Sequence, residues 1–150
     1  LSEDYLFTAN LLINKPKVDF WNDNLYFYCD NGNSLTNSYN PQRPYRAVAL
    51  YRKMEDIIQR AELDDLACMR AYNNFVINLL VSFKHITFYD HLTFIKKINE
   101  IKKICLNRDI IIVLNEKKVI NNKKLRILQR LILKKHFFLI YFFMIIRYKR

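Results

Sequence analysis

Residues 66–83 read LACMRAYNNFVINLLVSF. Leu66, Met69, Tyr72 or Asn73, Val76, Leu80 and Phe83 recur every three or four positions, the spacing that lines one side of an α-helix. Working outward, residues 45–60 repeat the pattern with Ala47, Leu50, Met54, Ile57 and Ile58, and Ala61 continues it. Leu63-Asp64-Asp65 breaks the chain between the two helices. A third helix is expected from Asp90, with Leu92, Ile95, Ile98, Ile101 and Cys105 along it. Arg108 to Val113 reads as a linker or a short apolar segment. Asn121 opens a basic helix over Lys123 to Lys135, and ten apolar residues follow, Phe137 to Ile146, closed by Arg147-Tyr148-Lys149-Arg150.

The composition excludes several classes. Gly32 is the one glycine in 150 residues, where ordinary usage would give roughly ten. Neither a Rossmann fingerprint nor a P-loop can be built without several glycines to let the backbone approach a phosphate. The net charge is +11 and uneven: residues 1–94 carry 9 Lys/Arg against 11 Asp/Glu, residues 95–150 carry 16 against 3. Such a carboxy-terminal half seeks a polyanion. Cys29, Cys68 and Cys105 are too widely spaced for a zinc pattern, and free thiols in a reducing cytoplasm are expected. His85, His91 and His136 share no metal-ligand spacing. No internal repeat and no signal peptide are visible. The chain opens at Leu1, inside what reads as an element, so a piece of a longer chain is expected, although processing can also remove a natural start.

Residues 1–40 differ in character from the helical remainder. Ser2 caps a short helix expected over 3–14, with Glu3 and Asp4 in the first turn, where the helix dipole favours acids, and Pro16 stops it. Val18 to Trp21 is a short strand candidate, and Leu25-Tyr26-Phe27-Tyr28 is aromatic and strand-like. Asp30 to Asn40 is a polar loop closed by Pro41 and Pro44. The fold class expected is therefore mainly α with a small α/β amino-terminal portion. Its divisions are 1–40, a helical region over 41–116, and a basic, partly hydrophobic tail over 117–150.

Ser2-Glu3-Asp4-Tyr5-Leu6-Phe7, then an aromatic strand at Leu25 to Tyr28, then Ser34-Leu35-Thr36 stand in this order. The series resembles the end of the catalytic domain of family 2 glycosyltransferases, the inverting enzymes of GT-A (Rossmann-like) fold that build surface polysaccharides. The resemblance covers about a quarter of the chain. It implies the carboxy-terminal remnant of such a domain, with Asp4 as general base toward the acceptor hydroxyl and Glu3 supporting it. It also implies a nucleotide-sugar donor, a glycan or lipid-linked acceptor, and a divalent metal (Mg or Mn) whose ligands are not in this chain. The donor-binding half and its Asp-x-Asp motif are absent from these residues, so 1–150 alone is expected to be inactive. Cys29 stands where the family often has Arg, and the loop after it lacks the His that many members carry. Asn33, Ser34 and Thr36 remain candidates for binding substrate, and Trp21 for stacking on a sugar. The same residues also read without chemistry: Glu3 and Asp4 as helix-capping acids, the loop as turn-formers bonding their own backbone, and the aromatics as core.

The tail offers a second function. As a helix, ten residues rise about 15 Å, half of a bilayer crossing. An apolar block with Lys134 and Lys135 before it and three cations after it reads as a segment lying in an anionic membrane surface, at the cytoplasmic face of the cell membrane. Burial against a catalytic domain is the alternative. Nucleic acid is not expected as a partner, because the aromatics cluster in one block instead of alternating with Lys and Arg, and no nucleic-acid-binding motif is present. A non-enzymatic helical protein binding a membrane surface or a partner is thus the competing class.

Overall fold

A computed structural model describes residues 39–116 and 122–148, with Leu6, Phe7, Asn10, Leu11 and Lys17 besides. Among the described residues the chain is helical, with no strand. The elements are α1 (Arg43–Arg60), α2 (Asp65–Phe88), α3 (Phe94–Leu106), α4 (Arg108–Glu116), α5 (Lys123–Leu133) and α6 (Phe137–Tyr148). Leu6, Phe7, Asn10 and Leu11 are helical too, within the helix expected over 3–14. The expected α/β portion, including Leu25 to Tyr28, lies otherwise outside the described residues.

Short polar side chains set where the helices start. Asp64 accepts from the Ala67 amide at 2.9 Å and caps α2, and Thr93 caps α3. Asn107 ends α3 and receives the Ile110 amide of α4 at 3.1 Å. Asn122 takes the amides of Lys124 and Leu125. Each satisfies first-turn donors that have no partner within the helix. Two helices end in the same device. At α1, Leu63 N–H bonds Ile58 O and Glu62 N–H bonds Gln59 O. At α5, His136 N–H bonds Leu131 O and Lys135 N–H bonds Ile132 O. These are Schellman closures, which need a left-handed residue just past the cap. With so little glycine, Glu62 (φ 52°) and Lys135 (φ 58°) take that conformation.

Three boundaries differ from the sequence expectation by more than a residue or two. Helix α2 runs on to Phe88, because Ile86 and Thr87 beyond the polar Lys84-His85 continue its buried face. Helix α3 starts after Thr93 and not at Asp90: Leu92 N–H closes a turn on Tyr89 O, and Thr93 is extended. The segment Arg108 to Val113, read as a linker or a short apolar segment, is part of α4, which buries Ile110, Val113 and Leu114.

One core unites the helices. Tyr51, Ile57 and Met54 of α1 meet Tyr72, Phe75, Val76, Leu79 and Phe83 of α2. Ile101 and Cys105 of α3, Leu128 and Ile132 of α5, and Ile140 and Met144 of α6 complete it. Residues on either side of 117–121 therefore share the same interior. A buried polar knot pins three helices. Gln129 Nε2 donates to Tyr72 Oη at 2.9 Å and to Leu114 O at 2.8 Å, and Tyr72 Oη donates to the same carbonyl at 3.3 Å. Leu114 O belongs to the last turn of α4, whose carbonyls have no partner in their own helix.

Candidate functional site

Glu3, Asp4, Trp21, Asn33, Ser34 and Thr36, the residues singled out for sugar transfer, all lie outside the described residues. The feature that the described residues do present is α6. Ile140 and Met144 are fully buried, and Phe137, Tyr141, Phe143 and Tyr148 pack against the core. The opposite side carries Phe138, Leu139, Phe142 and Ile146, which are 55%, 53%, 50% and 83% exposed. Positions 138, 142 and 146 fall one helical turn apart, so these side chains form a stripe along the outward face. Helix α3 extends it: the Phe94 ring lies 6.4 Å from Phe138 and 5.2 Å from Tyr141, and Tyr141 is 5.8 Å from Phe142. Ile95, the neighbour of Phe94, is 71% exposed.

The chain around this stripe is cationic. Lys134 and Lys135 are exposed before α6, and residues 117–150 contain no Asp or Glu. The described acids are largely engaged elsewhere. Arg52 pairs with Glu116 through two contacts of 2.9 and 2.6 Å and with Glu55 at 2.9 Å. Arg60 pairs with Asp56, and Lys103 with Glu100. Tyr51 donates to Glu55 at 3.1 Å, and burial, then the Glu55 charge, push its phenol well above the usual range. On the far side of α3, Lys96, Lys102 and Lys103 line a shallow open groove with Leu92 and Leu106.

A groove between α1 and α4 is lined by Tyr45, Arg52, Asn107 and Asp109. The groove between α1 and α2 is lined by Ala47, Leu50, Tyr51, Met54, Asn74 and Asn78, which include no carboxylate, histidine or thiol. No three His, Cys, Asp or Glu side chains converge there on a metal position. Cys105 is buried among apolar side chains, which pushes its thiol up to about 12; it packs and does not attack. No described helix is long and apolar enough to cross a membrane.

No family model, curated protein or solved structure matches the chain. The sequence singled out the apolar block of α6 and its flanking charges. It did not single out Phe94, which joins the stripe only because α3 packs beside α6.

Proposed function

We propose that the described helices form a module that docks on an anionic membrane surface through the outward face of α6. Phe138, Leu139, Phe142 and Ile146 enter the boundary between headgroups and acyl chains, while the flanking cations stay at the phosphates. The observation that carries this reading is the exposed stripe itself: four large apolar side chains in line, continued by Phe94, on the most basic part of the chain. Scattered exposed apolar residues need no explanation, but contiguous ones mark interaction surfaces. Charge selects among the surfaces. An acid-free segment rich in Lys and Arg gains about 1 kcal/mol per cation at an anionic leaflet. The anionic leaflet that faces the cytoplasm is the partner with the matching charge.

Flotation with phosphatidylcholine vesicles, with and without phosphatidylserine, tests the proposal. The protein is expected to float with anionic vesicles, and Phe138→Glu and Phe142→Glu to remain in solution, each still folded. Equal flotation of wild type and both variants would exclude α6 as the docking face, and no flotation of wild type would exclude membrane docking.

Sugar transfer is a second reading, favoured by the ordered series Glu3-Asp4, Leu25 to Tyr28 and Ser34 to Thr36. In it the intact enzyme uses a nucleotide-sugar and a divalent cation, and Asp4 accepts the proton of the acceptor hydroxyl with Glu3 beside it. The helical module then holds the enzyme against a lipid-linked acceptor. A carboxylate at a helix start suits a base that must be held rigidly at a cleft edge. Asp4→Asn in the intact enzyme should abolish transfer and spare donor binding. Turnover retained in that variant would remove Asp4 from the role.

A further inference from the structure

One cation in the bundle is placed at a cost. Arg147, in the last turn of α6, has its Nη1 buried without a hydrogen-bond partner. A guanidinium stays charged in a protein, and a charged donor withdrawn from water needs a partner more than a neutral one does. A second cation stands close by. The Lys84 ammonium of α2 lies 5.1 Å from the centre of the Tyr148 ring, and the Arg147 guanidinium carbon lies 5.1 Å from the same centre. The two charges are therefore separated by at most twice that distance. Neither cation forms an ion pair with an acid among the described residues. Helix α2 has a single carboxylate, Asp65, at its opposite end. Helices α5 and α6 have none, and Glu100 of α3 is held by Lys103. The ring partly offsets both charges through its negative face, but a ring accepts no geometry-matched hydrogen bond from the planar guanidinium fork.

We propose that Lys84, Arg147 and Tyr148 bind a phosphate group, that of an anionic lipid headgroup. Phosphate fits each part. Its oxygens accept two parallel N–H bonds from an arginine, a lysine adds a compact positive charge, and a tyrosine hydroxyl adds a neutral donor. The lipid source rests on the membrane-docking reading. Arg147 stands two turns after the buried Ile140, so the site lies at the end of α6 on the side that faces α2, beyond the outward stripe. The phosphate site itself is tested without any membrane.

Thermal unfolding is measured in sodium phosphate and in sodium chloride at matched ionic strength. The proteins are wild type, Lys84→Met, Arg147→Met and a control, Lys53→Met, which removes an exposed cation of α1. Phosphate excluded from the surface raises the midpoint of all four. The site adds a further rise in wild type and Lys53→Met that both site variants lack. In chloride Arg147→Met should be at least as stable as wild type, since it removes the unpartnered buried donor, so failure to fold does not obscure the result. Equal phosphate responses in all four proteins would overturn the site.

The lipid source is tested on vesicles of phosphatidylcholine with phosphatidic acid. The double variant Lys84→Met/Arg147→Met should lose about tenfold or more in partitioning, and the control Lys53→Met/Arg70→Met, with the same charge removed, should lose less. Equal losses would overturn lipid recognition by the site. A wild-type protein that answers to phosphate and ignores every vesicle would refute the membrane reading and the lipid source while upholding the phosphate site.

Discussion

Tyr72→Phe and Gln129→Met, singly and together, probe the polar knot between α2, α4 and α5. Tyr72 and Gln129 are 1% and 7% exposed, so neither can exchange its lost bonds for water. Removing the Tyr72 hydroxyl deletes its bonds to Gln129 and to Leu114 O, but Gln129 still holds that carbonyl at 2.8 Å. A cost of about 1 kcal/mol is expected, the net worth of an ordinary buried hydrogen bond. Methionine at 129 keeps the length of the side chain and removes both donated bonds. Leu114 O then depends on the 3.3 Å contact with Tyr72, and the expected cost is about 2 kcal/mol. The double variant should cost about 3 kcal/mol, because the Gln129–Tyr72 bond is lost only once while Leu114 O loses its last partner. Urea unfolding gives these values if the slope is unchanged, with 1 kcal/mol moving the midpoint by roughly 0.5 M. A double variant no less stable than Gln129→Met would mean that the Tyr72 contact with Leu114 O contributes nothing. Gains in stability from both singles would refute the account of the knot.

The remaining predictions concern backbone and pH. Lys135→Gly and Glu62→Gly should each stabilise the fold by about 0.5–1 kcal/mol, since glycine occupies the left-handed region without the side-chain clash and its added unfolded-state freedom offsets only part of that. Unchanged or reduced unfolding midpoints would contradict the closures seen at α1 and α5. Cys105 is raised by burial from 9.0 to about 12. A group whose folded pKa is raised contributes stability that is complete below its unfolded value and is lost as pH climbs toward the folded one. Stability should therefore fall between about pH 9 and 12, and Cys105→Val should fall less steeply over that window; parallel curves would assign the loss to other groups, Tyr51 and Tyr72 first.

Helix α1 was legible because its apolar positions repeat cleanly over four turns. The end of α2 was not, because Lys84 and His85 look like a terminus. Only the neighbours across the bundle reveal that Ile86 and Thr87 are buried. The sequence put the start of α3 at Asp90, and the turn at Tyr89 to Leu92 moves it to Thr93. Helix α4 was hidden in Ile110-Ile111-Ile112-Val113, a run without period and rich in β-branched residues, which favour strands; its cap at Asn107 and the core beneath it decide otherwise. Glu3, Asp4, Trp21, Asn33, Ser34 and Thr36 lie outside the described residues, so the resemblance to a glycosyltransferase rests on sequence. Lys84 and Arg147 come from helices far apart in sequence, and no local pattern pairs them.

The rotation of α6 decides which of its side chains form the outward stripe. The helix is apolar on every side, so its sequence alone favours no particular face. Packing on α2, α3 and α5 buries Ile140 and Met144 and leaves Phe138, Phe142 and Ile146 outside. Nothing in the core needs those three side chains. Glutamate at 138 or 142 should shift stability by no more than about 0.5 kcal/mol, the usual range for surface positions. If so, the stripe contributes to an encounter outside the bundle and not to folding. The same two variants then separate the explanations: unfolding curves that match wild type, together with lost flotation, assign the stripe to docking. A loss of 2 kcal/mol or more, as expected for a removed core side chain, would instead place Phe138 and Phe142 in an interior that the described helices do not show.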